Sequence, residues 1–327
     1  MSPSAQSDNA VLNNLLKELH PEHAEPLWTV LSKVSPAVPQ PKAVPHLWKY
    51  KKLRPLLDEA GRIVPQEESE RRAFMLINPA LKRPQTTDTL YAALQYINSG
   101  EVAPAHRHTP FALRFIIEGT GGWTAVEGEK IYMEKGDVIL TPRWQWHDHG
   151  KDGEGAMVWL DGLDLPMLNN IPVCFTEHYD QDRYPSIEVK KSTTKYPWSD
   201  VQKYFDSVSG DYAIYNYQSQ TEEGKPLSSI IAGQAEKIVG GKSSPDRLES
   251  SSFIYHVYEG KGRTIITDDN DVETVIKWEN RDTFCIPAWR KFIHVNEGQE
   301  TVYLFNFNDS ALLKNLDIYR ADQISAI

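Results

Sequence analysis

Two short stretches carry more coordinating and cationic chemistry than strand-like sequence ordinarily does: GEVAPAHRHTPFALRF (100–115) and GDVILTPRWQWHDHG (136–150). They supply His106, His108, Arg114, His147 and His149. Side chains alternate between faces along an extended chain, so His106 and His108 share one face. If no bulge intervenes, Arg114 joins them beside Ala112 and Ile116. Two imidazoles one residue apart, with a third from a facing strand, cap one side of a metal ion and leave its other side open. Arg114, if it points into the same cavity, can clamp a carboxylate, a charge-assisted contact of about 1.5–3 kcal/mol. As the residue of a bulged edge strand it would face solvent instead. His149 shares parity with His147 and can either move a proton or serve as an ordinary hydrogen-bonded histidine. The same two readings are open for Gln95, which alternates with Tyr91, Ala93 and Ile97 in LYAALQYI.

The elements that must position these residues follow from the rest of the chain. Val11, Leu12, Leu15, Leu16 and Leu19 recur at helical spacing, with Asp8 or Asn9 as the expected cap. A second short helix is expected within PEHAEPLWTVLSKV, and the Pro-rich SPAVPQPKAVPHLW then excludes helix or central strand. This arm is expected to pack on the outside of a domain or on a neighbouring subunit. From about residue 72 to 165, short β-like runs separated by Gly-containing turns point to a sandwich or barrel. Trp198, Val201, Tyr204, Phe205 and Val208 mark one amphipathic helix beyond them.

The pattern then recurs. FIYHVYEGKGRTIITDD answers FALRFIIEGTGGWTAVEGE, and RDTFCIPAWRKFIHV answers GDVILTPRWQWHDHG. An internal duplication is the economical reading. Aligning the Glu-Gly pairs sets Arg247 and Glu249 where His106 and His108 stand, Phe292 opposite His147 and His294 opposite His149. The second copy therefore reads as metal-free and structural, with interface duty. The expected organisation is an arm over 1–70, a metal-binding barrel over 71–170, a linker with a short helix over 171–210, and a metal-free barrel over 211–327.

Bulk properties narrow the function classes. A net charge of -10 with no Lys/Arg cluster argues against nucleic acid. No apolar run approaches the ~20 residues that span a bilayer, and the polar start MSPSAQSDNA lacks the features of a secretory signal. Two cysteines, Cys174 and Cys285, argue against a disulfide scaffold and suit a cytoplasmic protein with inert core thiols. His20, His23, His46, His178 and His256 read as solvated or ordinary packed residues. Asp161 in WLDGLDLPM suits a turn as well as a place behind the site.

The spacings G-x5-H-x-H from Gly100 and G-x5-P-x4-H from Gly136 resemble the two short motifs of the cupins, small β-barrels that hold a metal inside. The glutamate ligand usual in that pattern is missing: Ala112 and Leu113 occupy its positions, and Glu118 belongs to the following turn. Three neutral imidazoles leave a divalent ion with its full charge, which favours an anionic, chelating ligand such as an ortho-hydroxy-carboxylate. GEVAPAHRHTPFALRFIIEG, AVEGEK, GDVILTPRWQWHDHG and VWLDGLDLPM together resemble the gentisate 1,2-dioxygenases, a bicupin family that includes salicylate and 1-hydroxy-2-naphthoate dioxygenases. The match is strongest from about residue 70 to 168.

This resemblance implies a mainly β bicupin in which His106, His108 and His147 hold Fe(II), one per subunit, in the first barrel. Arg114 and Gln95 would contact substrate, Tyr91 and Ala93 would line its cavity, and His149 would assist proton movement. Tyr91 stands where many relatives carry Trp. A second pocket arginine is expected just before INP, either Arg71 or Arg72. The implied reaction is extradiol-type cleavage of gentisate (2,5-dihydroxybenzoate) by O2 to maleylpyruvate in a homotetramer. Salicylate or 1-hydroxy-2-naphthoate are the alternative substrates. A non-redox metallo-cupin isomerase or hydrolase using Zn, Ni or Mn is the competing class, since three histidines bind those ions as well.

Overall fold

The structure, a computed structural model, describes residues 3–82, 85–181 and 183–321. It falls into two units, Met1–Gln40 and Pro41–Ile327. In the first, α1 (Pro3–Leu19) passes through a 3-10 turn into α2 (Leu27–Val34). Asp8 and Asn9 lie inside α1, not at its cap, because the helix starts at Pro3. Proline suits a first turn, where its missing N–H costs no bond.

Residues 41–70, expected as part of the arm, belong to the second unit. There β1 (His46–Trp48) pairs as an edge strand and α3 (Tyr50–Ile63) follows, with α4 (Gln66–Ser69) after it. Pro55 breaks the helical pattern in sequence, but α3 accommodates it because Tyr50 and Leu57 anchor the helix in the core. Asp282 fixes its start, accepting from Tyr50 N at 2.9 Å and from Lys49 Nζ at 2.7 Å. An edge position for β1 is what its flanking prolines permit.

The first barrel is made by β2 (Ala73–Met75), β3 (Tyr91–Ile97), β4 (Val102–His108), β5 (Ala112–Glu118), β6 (Gly122–Val126), β7 (Glu129–Tyr132), β8 (Val138–Thr141), β9 (His147–Lys151) and β10 (Met157–Leu163). One sheet runs β8-β5-β10-β3-β2, and the other runs β4-β9-β6-β7. After α5 (Leu165–Asn169), the short strands β11 (Thr176–His178), β12 (Ile187–Glu188) and β13 (Lys195–Tyr196) extend the edges of those sheets. Gly100 and Gly136, the glycines of the two motifs, sit at φ 78° and 87°, in the left-handed region glycine enters freely.

Helix α6 (Trp198–Ser207) leads into the second barrel: β14 (Tyr212–Tyr217), β15 (Ala232–Ile238), β16 (Phe253–Glu259), β17 (Lys261–Thr267), β18 (Glu273–Glu279), β19 (Thr283–Ile286), β20 (Lys291–Val295) and β21 (Val302–Asn308), before α7 (Ser310–Asn315). The duplication extends to backbone detail. Trp144 and Trp289, from the paired Pro-x-Trp motifs, both adopt positive φ (60° and 59°), as do Gly119 and Gly260. His106 faces His147 across its sheet as Arg247 faces Phe292.

Three apolar cores hold this unit together. Ile116, Ile139, Met157 and Trp159 fill the first barrel; Phe253, Phe284, Phe292 and Leu304 fill the second. Between them, Leu113, Phe115 and Ile117 from β5 meet Ile254, Phe305 and Phe307 from the second barrel, with Phe115 stacked on Phe305 at 4.3 Å. Strand β5 is therefore buried on both faces, and its even-numbered residues point into the first barrel.

Arg247 occupies the second barrel where His106 stands in the first. It bonds Glu236 at 3.1 Å and Glu249 at 2.8 Å, while Tyr255 and Tyr212 each donate to Glu236 at 2.8 Å. Phe292 and Phe253 pack against the guanidinium. The interior cation is thus an arginine already neutralised by carboxylates. Removing one partner leaves the other charge buried, so Arg247→Ala should destabilise the protein by about 3–5 kcal/mol in chemical denaturation, whereas the paired Arg247→Met/Glu236→Gln change should cost far less.

Candidate metal centre

His106 and His108 project from β4, and His147 from β9 directly opposite His106. The strand does carry an irregularity, but between Ala103 and His106, upstream of the pair. The two histidines stay in phase, and both point inward. Their rings lie 4.2 Å (His106–His147), 4.9 Å (His108–His147) and 5.2 Å (His106–His108) apart, with one nitrogen from each within 4.8 Å of the others.

Backbone carbonyls polarise two of these rings. His108 Nδ1 donates to Pro110 O at 2.8 Å and His147 Nδ1 to Gln145 O at 2.9 Å, which leaves each Nε2 with a free lone pair. His147 Nε2 is buried without a hydrogen-bond partner, an arrangement a metal ion would satisfy. Burial, helped by the Arg114 charge, lowers the His108 pKa to about 4. His106 and His147 are lowered further, again chiefly by burial. All three are neutral, the form that ligates metal. Among the described residues no carboxylate or thiol joins the cluster. Glu118 stands at the far end of β5, paired with Arg54 and Arg281.

Arg114 does lie inside the first barrel, 3 % exposed. Its Nη2 donates to His149 Nε2 at 2.9 Å, its Nη1 donates to Thr141 Oγ1, and its Nε stands 3.5 Å from Asp161 Oδ1. Burial draws the guanidinium pKa down and Asp161 opposes that. Burial likewise raises Asp161 to about 6, with Arg114 opposing.

The remaining candidates sort by strand face. Arg71 Nη2 donates to Pro104 O at 2.9 Å and lies against His106 Nδ1, and burial with the Arg114 charge lowers its pKa to about 10. Arg72 turns the other way, to Glu101 at 2.8 Å and to Val64 O. Of the two arginines, Arg71 is the one beside the histidines. Tyr91, Ala93 and Gln95 share the inner face of β3 with Ile97 and stand in register with Leu163, Asp161 and Trp159. Burial and the nearby Asp161 raise the Tyr91 pKa.

Asp161 is no turn residue. It sits mid-strand on β10, opposite Arg114 and Ala93, and accepts from Trp159 Nε1 at 3.0 Å. Its parity with Met157 and Trp159 was the available signal. His20, His23, His46, His178 and His256 stay outside the cluster. His178 pairs in register with His106 but is exposed, and His256 is buried between the barrels against Phe115 and Thr283. Cys285 is buried, with its thiol pushed up to about 12.

Comparison with known proteins now bears on this geometry. Residues 93–163 match the cupin domain model. Gentisate 1,2 dioxygenase 1 of Aquipseudomonas alcaligenes is 33% identical over 324 residues, covering 90% of this chain and 91% of its own. The chain belongs to the gentisate 1,2-dioxygenase family. The 1-hydroxy-2-naphthoate 1,2-dioxygenase of Nocardioides sp. is 30% identical, covering 84% of this chain and 78% of its own. The salicylate 1,2-dioxygenase of Pseudoaminobacter salicylatoxidans, solved as an adduct with gentisate, superimposes with a TM-score of 0.86 at 29% identity over 95% of this chain and 93% of that one.

Membership of this family makes the fold a bicupin and the protein a ring-cleaving dioxygenase. It also corrects the expected extradiol label: gentisate carries no vicinal diol, so cleavage beside its carboxylate is a different opening. No described helix is long and apolar enough to cross a membrane.

Each of the three candidate ligands stands on a strand paired on both sides, so deleting one imidazole should spare the fold. His108→Ala should weaken metal binding by more than about 100-fold, beyond the range typical of losing a supporting contact. Titration calorimetry with zinc(II), alongside an unchanged circular dichroism spectrum, would check it.

Proposed function

We propose that this protein is an Fe(II)-dependent dioxygenase that opens gentisate with O2 to give maleylpyruvate. The observation that carries the reading is charge. Three neutral histidines with no carboxylate among them lie close to Arg114 and Arg71 in the first barrel; Asp161 faces Arg114, and Asp161, Glu70 and Asp148 act on Arg71. A dication held there keeps its full charge and favours a chelating anion.

His106, His108 and His147 would hold the ion. The ferrous ion would supply the redox coupling between aromatic ring and O2. The protein supplies position and charge. Arg114 would bind the substrate carboxylate, exchanging its contacts to His149 and Thr141 for a charge-assisted one. Arg71 lies on the His106 side of the cavity and adds to its positive potential. Tyr91 and Ala93 would form the wall along β3, with Gln95 as the polar contact on the same face. His149, released from Arg114, would accept a proton or hydrogen bond from a ring hydroxyl.

The first barrel then carries the chemistry and the second, with its arginine-filled interior, serves structure. A cytoplasmic site of action suits two unpaired thiols. The exposed Leu12, Leu15, Leu27, Trp28 and Leu31 of the N-terminal helices support a homotetramer in which these helices dock on another copy. Light scattering should then give four times the chain mass for the full protein, and a monomer would refute it.

Oxygen uptake by anaerobically reconstituted ferrous protein tests the reaction. Gentisate should be consumed with appearance of a ring-opened product, and salicylate and 1-hydroxy-2-naphthoate run as parallel arms. Consumption of none of the three would overturn the assignment, while turnover that zinc alone supports without oxygen uptake would favour non-redox chemistry. Arg114→Ala should raise KM by roughly 10- to 100-fold, the scale of one charge-assisted contact, and an unchanged KM would remove Arg114 from the site.

A further inference from the structure

One side-chain pair occurs twice in this protein with opposite polarity. Thr124 on β6 stands opposite His149 on β9, with Oγ1 2.8 Å from Nδ1. Thr264 on β17 stands opposite His294 on β20, also at 2.8 Å. A hydroxyl has a single proton to give, and what else it bonds decides the tautomer of the histidine.

In the first barrel Thr124 gives its proton to Asp148 O at 3.0 Å. It can then only accept from His149, whose Nδ1 carries the hydrogen and whose Nε2 is bare. That Nε2 faces Arg114 Nη2 at 2.9 Å, a group that can only donate. Both ends of the imidazole require the same tautomer.

In the second barrel Thr264 Oγ1 accepts from Trp278 Nε1 at 2.9 Å. Its proton is left for His294 Nδ1, which places the histidine hydrogen on Nε2. That atom is buried and has no hydrogen-bond partner, and the nearest charge is Glu236 Oε2 at 4.0 Å. A carboxylate favours N–H over a lone pair. Again the two ends agree, with the opposite outcome.

We infer that Thr124 is a positioning residue that holds His149 with its Nε2 lone pair directed into the metal-bearing cavity. When a substrate carboxylate draws Arg114 away, that lone pair is exposed to a ring hydroxyl. The O–H bond then breaks, the oxygen keeps the electron pair, and the proton is taken by Nε2 while Nδ1–H stays on Thr124. This role deepens the ring-cleaving reading and rests on it, whereas the tautomer itself does not.

The test uses full-length protein loaded with zinc(II), a diamagnetic occupant, and labelled with 15N-histidine. Long-range proton–nitrogen correlations report which nitrogen is protonated, with signals assigned through His149→Gln and His294→Gln. His149 should be protonated at Nδ1 and His294 at Nε2. Thr124→Val keeps the shape and loses the hydroxyl. In an Arg114→Ala background, where no donor holds Nε2, it should shift His149 toward Nε2–H, and in the otherwise unaltered protein it should lower kcat for gentisate about 10- to 100-fold with KM little changed, the scale of losing a contact that orients a site histidine. Thr124→Ser should restore both readouts. His149 protonated at Nε2 in the unaltered protein, or an Arg114→Ala spectrum that adding Thr124→Val leaves unchanged, would overturn the inference. Because the spectra need no substrate, absence of turnover would count against the reaction alone.

Discussion

The interior of the first barrel is left positive, and much of the structure exists to hold that imbalance. Arg114 is almost wholly buried, yet its nearest carboxylate, Asp161, stands 3.5 Å away without a direct hydrogen bond to Nε. Arg71 approaches the same space from the edge of β2. Taking an ion out of water costs several kcal/mol even after relaxation, and a pair as loose as this one offsets only part of it. Such a cost is retained when a ligand of opposite charge completes the set, and the neutral histidines prepare the place for the metal that such a ligand would chelate.

The second barrel shows what the same fold does with a cation that awaits nothing. Arg247 is met by Glu236 and Glu249, and Glu236 is further satisfied by Tyr212, Tyr255 and Asn306. Glu236 stands in register opposite Leu304 as Gln95 stands opposite Trp159 in the first barrel. An uncharged amide in one copy and a carboxylate in the other thus occupy corresponding places. That difference, together with Glu249 where His108 stands in the first copy, separates an interior that wants an anion from one that already contains it.

How much of this was legible in the residues depends on which interactions are local. The histidine pair, the motif glycines and the duplication are local patterns, and each could be read directly. Gly100 and Gly136 need positive φ, and that requirement is written at their own positions. The direction of Arg114 depends on strand parity, which a single bulge reverses. The chain does bulge, once upstream of His106 and once at Ile117 beyond Arg114, places set by pairing with β9 and β10 and invisible in sequence. Arg71 and Arg72 differ only in which way an edge segment turns, which Glu101 and Val64 decide from elsewhere. Helix α3 was hidden for a similar reason: Pro55 argues against it locally, and Asp282, more than two hundred residues away, argues for it.

The placement of apolar burial explains how one barrel can carry such an interior. Strand β5 is held from behind by Leu113, Phe115 and Ile117, which pack against the second barrel, so Arg114 on its inward face, beside Ile116, need not supply cohesion. At about 25 cal/mol per Å2 of buried apolar surface, three large side chains on one strand supply several kcal/mol, comparable to the cost of the arginine they carry on the other face. The second copy, with its own apolar core of Phe253, Phe284 and Phe292, is then more than a remnant of duplication. It is the surface on which the polar barrel is mounted, and weakening it would loosen Arg114 without touching a residue of the site.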